Sequence, residues 1–211
     1  ATLLVDADPR GDLALLCGIE HRYTLDDLLA GRRSLAEVVA EGPGGIQIVA
    51  GSRGWDEWGN GAAKIADRLI EALDNGAVKA DLVVIDAGNT TSPTVRRLWQ
   101  AADAAVMVAT PDTASVVGAY ESIKVLTSSG AICLLVNRAT PTVAATVYCR
   151  VAWACRRFLS VRLESAGHAP SVRQAKNGSK RLNIRPIGAD KKRELPAADV
   201  LLKWKRHADF D

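Results

Sequence analysis

The sequence predicts an α/β fold of the three-layer, doubly wound kind, a mostly parallel sheet with helices on both faces. Short β-branched apolar runs recur along the chain, each followed by a helical pattern, and the runs are continuous rather than alternating, as in strands covered on both faces. Their carboxyl ends carry acids, glycines and prolines, which is where ligands sit in such folds.

The strands are expected at Thr2 to Val5, Ile46 to Val49, Leu82 to Ile85, Ala104 to Val108 and Ile132 to Val136. Between them, Ile65, Leu69, Ile70 and Leu73 keep helical spacing up to a stop at Asn75-Gly76. Val116, Tyr120, Ile123 and Leu126 mark a second helix, and Val143, Val147, Val151 and Phe158 a third. Thr24 with Asp27, and Ser34 with Glu37, are spaced as capping boxes at the starts of two short helices separated by Gly31.

The chain has 211 residues, suited to one α/β domain, and about half of them are apolar. Its longest charge-free stretch, Val125 to Asn137, is too short and too polar for a membrane span, and no basic region followed by an apolar one is visible at the start of the given sequence. A cytoplasmic protein is expected. The four cysteines, Cys17, Cys133, Cys149 and Cys155, lack metal or redox spacing and read as buried thiols. Trp55 and Trp58 read as cover for the sheet edge, with an exposed partner or dimer contact as the rival.

Charge is uneven. The net +3 divides into +6 for residues 170–211, with eleven Lys/Arg against five Asp/Glu, and −3 for the rest. Regular alternation fades after about residue 170, so residues 1–170 read as the globular domain and 171–211 as a basic tail or terminal helix.

The first strand ends in Asp6-Ala7-Asp8-Pro9-Arg10-Gly11, two carboxylates on one side of an extended chain followed by a forced turn. Two acids there repel unless a cation lies between them. The strand Leu82 to Ile85 ends in Asp86-Ala87-Gly88, where glycine lets the backbone approach a ligand and turn its N–H toward a phosphate. Thr110-Pro111-Asp112 and Val136-Asn137-Arg138 end two more strands; Pro111 sets a turn, Asn137 offers a donor and an acceptor to a purine edge, and Arg138 can stack on its face. A receiver domain also places acids at strand ends, but Asp8 and Asp86 lie too far apart in the chain for that fold.

Taken together, these four segments resemble the MinD/ParA family of deviant Walker ATPases, over about residues 2–170. Leu16 to Glu20, Tyr23 to Gly31 and Val49 to Ser52 resemble the MinD branch and its flagellar-number relatives. The resemblance implies a P-loop NTPase-like sheet and ATP/ADP with Mg²⁺ as cofactors. It implies Asp8 as the carboxylate that positions the attacking water, Asp6 supporting the Mg²⁺ shell, and Asp86 holding Mg²⁺ through water. It further implies Gly88 as the sensor of the γ-phosphate, Pro111 at the nucleotide's turn, and Asn137 with Arg138 at the adenine. An ATP-dependent homodimer, slow hydrolysis, an activating partner protein and the positioning of a division site, flagellum or chromosome are implied by the same resemblance.

The family's glycine-rich, lysine-containing loop has no counterpart here. Gly42 to Gly45 sit before a strand and have no following lysine, so they read as a turn. The sequence opens at Ala1 with Met107 as its only methionine, and a preceding strand and loop are expected; without them the chain should bind nucleotide weakly. The alternatives are a pseudo-ATPase binding module without the phosphate loop and a DNA-binding partition ATPase using Lys191-Lys192-Arg193. Leu201 to Arg206 is read as a docked last helix, with peripheral contact to the inner face of the membrane as its rival.

Overall fold

The computed structural model describes residues 1–52, 62–75, 78–89, 91–125, 130–171 and 201–204; Trp55, Trp58 and most of the basic tail lie outside the described residues. The chain divides into two compact units, one formed by residues 1–103 with 200–211 and the other by residues 104–199.

The first unit is built on β1 (Thr2–Asp6), with short helices α1 (Leu13–Cys17), α2 (Leu25–Leu29) and α3 (Leu35–Val38) between it and the hairpin β2 (Val39–Glu41) and β3 (Gln47–Val49). Then come α4 (Ala62–Asp74), β4 (Leu82–Asp86) and α5 (Pro93–Ala101). β1 lies parallel to β3 on one side and to β4 on the other, with Leu3 opposite Val83 and Asp6 opposite Asp86. Leu3, Val5, Ile48 and Ile85 are buried in this core with Leu98 and Trp99 of α5, the consequence of apolar runs flanked by helices. The Gly42 to Gly45 turn joins β2 to β3, with Gly44 and Gly45 both at positive φ.

Both expected capping boxes form: the Thr24 and Ser34 backbone N–H groups donate to Asp27 and Glu37 at 3.0 and 2.9 Å. Arg68 of α4 donates to the Leu29 carbonyl at 2.7 Å, and Leu25 N–H to the Ala50 carbonyl at 2.8 Å, which fastens α2 to the helix layer and to the end of β3.

The second unit holds β5 (Ala104–Ala109), α6 (Thr113–Val125), β6 (Ala131–Asn137), α7 (Pro141–Ala154) and β7 (Leu163–Ala169). β6 is parallel to β5 and to β7, with a bulge between Leu134 and Leu135. α7 buries Ala144, Val147 and Val151 and runs into a π-helical turn, Cys155–Leu159, closed by Ser160 in the left-handed region. Tyr148 donates to the Leu163 carbonyl at 3.0 Å, tying α7 to β7.

Four expectations are corrected. Leu201–Trp204 is a strand, β8, antiparallel to β4, and not part of a terminal helix. The buried stripe of α7 is Ala144, Val147, Val151 and Cys155, which keep helical spacing, whereas Val143 and Phe158 face outward. The cysteines are not uniformly buried: Cys155 is, Cys17 and Cys133 are partly covered, and Cys149 is exposed. β2 and β7 had no counterpart among the expected strands. Among the described residues no helix is long and apolar enough to cross a membrane.

Candidate functional site

The first unit gathers four of the expected site residues at the carboxyl ends of β1 and β4. Asp6 is 1% and Asp8 7% exposed. Asp6 organises the loop after β1: its carboxylate accepts the Asp8 N–H at 3.2 Å and the Leu13 N–H at 3.0 Å. Burial pushes the Asp6 carboxyl above its usual range, opposed by these N–H donors and by that of Gly51.

Asp8 has the opposite setting. Burial pushes its carboxyl up, but Arg10 more than offsets this, so that Asp8 lies below its ordinary value. The Arg10 backbone N–H donates to Asp8 Oδ1 at 2.9 Å and its Nε to Oδ2 at 2.9 Å, with Nη2 on the same oxygen. Gly11, at φ +63°, turns the loop back through its N–H to the Asp8 carbonyl at 2.9 Å.

Two glycines from neighbouring strands close on these carboxylates. A Cβ on Gly51, after β3, would come within 2.6 Å of Asp6 Cγ, and one on Gly88 within 2.9 Å of Asp8 Cγ. Gly88 stands at φ +65°, and its N–H donates to Asp86 Oδ1 at 3.0 Å, so Asp86 shapes the turn that brings Gly88 to Asp8. The Ala7 N–H reaches the Asp86 carbonyl at 2.8 Å, locking the two loops together.

Arg10 and Gly51 were not among the expected site residues. Arg10 was visible only as a turn residue; a basic side chain two positions after an acid was the available signal. Gly51 was visible only as part of the Val49 to Ser52 resemblance, since its value lies in what faces it.

Pro111, Asn137 and Arg138 belong to the second unit, at the ends of the adjacent strands β5 and β6. Pro111 begins a turn in which Asp112 accepts from Ser115 N–H at 2.9 Å and from the Thr110 hydroxyl, while Ser115 Oγ accepts from Thr110 N–H at 2.9 Å. The Thr110 hydroxyl and the Ser115 N–H hold the Asp112 carboxyl below its usual range. Asn137 Oδ1 accepts the Arg138 N–H at 2.8 Å, and Arg138 stands at φ +55°, an uncommon conformation for a residue with a side chain.

The donor set can be tested against Mg²⁺. The side chains gathered in the first unit are hard carboxylate oxygens without His or Cys, and among the described residues no three His, Cys, Asp or Glu side chains form a metal cage. This fits an ion that keeps several waters and is held by one or two carboxylates together with phosphate oxygens.

No family model matches the chain. It is 28% identical over 181 residues to the antiactivator FleN of Pseudomonas aeruginosa, covering 82% of this chain and 65% of FleN. It is 26% identical over 117 residues to the flagellum site-determining protein YlxH of Helicobacter pylori, covering 54% of this chain and 39% of YlxH. The chain thus spans less than two thirds of the curated relatives it matches. Among solved structures, MinD in the MinC:MinD complex of Aquifex aeolicus matches with a TM-score of 0.56 at 19% identity, over 83% of this chain and 71% of that one. A ParA family ATPase from Chlorobium tepidum matches with a TM-score of 0.57 at 18% identity, over 83% and 72%. These two likenesses establish the fold, and the flagellar relatives support the resemblance of the sequence to the MinD/ParA family, nearest its MinD and flagellar-number branch.

Proposed function

We propose that the chain is part of an ATP-driven dimerisation switch that hydrolyses ATP slowly and positions a cellular structure, the flagellum being favoured by the names of its two curated relatives. The observation that carries the reading is the meeting of two strand-end loops, with Gly88 of one seated against the Asp8 carboxylate of the other.

Asp8 positions the attacking water. The Arg10 contacts keep it ionised, and an ionised carboxylate is an acceptor only, suited to orienting a water proton. Asp86 would hold Mg²⁺, and Asp6 would support it while organising the loop. Mg²⁺, when bound with ATP, supplies neutralisation of charge on the phosphate oxygens. Gly88 brings backbone, with no side chain in the way, to the γ-phosphate side of the site. Pro111, Asn137 and Arg138, at strand ends of the second unit, are assigned to the adenine by the resemblance alone.

Dimer formation is supported by α1, which comes after the Asp8 loop and presents Leu15 and Leu16 at 79% and 81% exposure. An activating partner protein completes the cycle. The phosphate-binding lysine loop is part of the whole protein in this reading.

The test uses the whole protein with Asp8→Ala. With saturating ATP it should elute as a dimer, with hydrolysis lost. A variant that stays monomeric under saturating ATP sinks the role given to Asp8.

A further inference from the structure

The outward face of α7 ends in a feature that the switch reading does not use. Trp153 is 63% and Phe158 65% exposed, and their rings meet edge to face with centroids 5.7 Å apart. Large aromatic side chains are seldom left this exposed together in a protein without a partner for them. They stand where they do because the opposite side of the same helix, Val147, Val151 and Cys155, is spent on the core.

The charged side chains of α7 and of the turn that follows it are all basic, while β7, which also packs on α7, brings the exposed Glu164. Arg150, Arg156 and Arg157 are exposed beside the pair, and residues 141–163 contain four arginines and no acid. α6, which packs against α7, carries one glutamate and one lysine and adds no net charge.

We infer that this face is a docking site for an acidic polypeptide segment bearing a large apolar side chain, which would seat on Trp153 and Phe158 while its carboxylates meet Arg150, Arg156 and Arg157. Charge complementarity selects the acid, and an aromatic anchor ringed by arginines is the composition that concentrates binding energy at protein interfaces. A bilayer fits less well. The outward stripe continues through Cys149, Thr146 and Thr142, so its apolar part is a single point, whereas a membrane-lying helix needs a long apolar face. Nucleic acid fits less well too, because rings at 88° to one another leave no pair of parallel platforms for successive bases. The inference is independent of the nucleotide reading, so its failure and that of the Asp8 assignment are separately visible.

The experiment measures binding of the full chain, by thermophoresis, to a random copolymer of glutamate and tyrosine, to polyglutamate, to vesicles of phosphatidylethanolamine with phosphatidylglycerol, and to a short single-stranded oligonucleotide. Trp153→Ala with Phe158→Ala, and separately Arg156→Glu with Arg157→Glu, should each weaken copolymer binding about tenfold or more. Polyglutamate should bind more weakly and be indifferent to the aromatic change, which separates this face from the basic tail. Circular dichroism should show both variants folded, since the altered side chains are exposed. No copolymer binding, copolymer binding unchanged by either double variant, or vesicle or oligonucleotide binding that depends on the aromatic pair overturns the inference.

Discussion

Gly88 and Asp8 touch across two strands: the position a Cβ would take on Gly88 lies 2.9 Å from Asp8 Cγ and 3.0 Å from its Oδ1. The backbone at Gly88 is also left-handed, at φ +65°. Gly88→Ala therefore meets conformational strain and a clash with a buried carboxylate at once, and should lower stability by about 1–3 kcal/mol in thermal or urea unfolding. Gly51→Ala removes no positive φ but drives a methyl toward Asp6 Cγ, 2.6 Å away, and should displace the loop after β1.

Arg10 governs the charge of Asp8 more than the stability of the fold. In Arg10→Ala the Asp8 carboxyl should titrate higher than in the parent, monitored by carboxyl carbon NMR, because the contacts that offset burial are gone. Arg10 is itself well exposed, so unfolding should shift by less than about 1 kcal/mol. An unchanged Asp8 titration would mean that the pairing has no force in solution.

The cap of α3 gives a pH signature. The Ser34 backbone N–H and hydroxyl, with Arg33, lower the Glu37 carboxyl to about 2. A folded value below the unfolded one means a stabilising contribution present above the ordinary glutamate range and lost as pH falls toward about 2. Glu37→Gln should accordingly have a lower Tm than the parent at pH 7, with the gap closing in acid.

The α5 anchor is a packing site. Leu98 is fully buried, so Leu98→Ala should cost about 2–5 kcal/mol in urea unfolding. Ser92 caps the same helix by accepting the Val95 N–H at 3.3 Å, and Ser92→Ala should cost about 1 kcal/mol.

The strands β1, β3, β4, β5 and β6 were legible because each is a continuous β-branched or apolar run, and so were the paired caps at Thr24 and Ser34. β7 was not: Leu-Glu-Ser-Ala-Gly-His-Ala is small and polar, and its pairing with β6 passes through a bulge that no alternation announces. β2 spans three residues, and β8 reads as a basic amphipathic segment whose strand form comes from pairing with β4. At the site, Asp6, Asp8, Asp86 and Gly88 were readable because acids and a glycine directly succeed an apolar run. Their division of labour was not, since it depends on which N–H reaches Asp6 and on Arg10 folding back over Asp8.

The pairing of β8 with β4 makes the first unit discontinuous in the chain, its final strand separated from the rest by the whole second unit. During synthesis, β4 must wait with one row of backbone groups unpaired until residue 204 has left the ribosome, while the second unit can already close on itself. The order of completion is thus set by connectivity: the later-encoded unit can finish first, and the unit carrying Asp8 and Asp86 is sealed by a strand encoded after it.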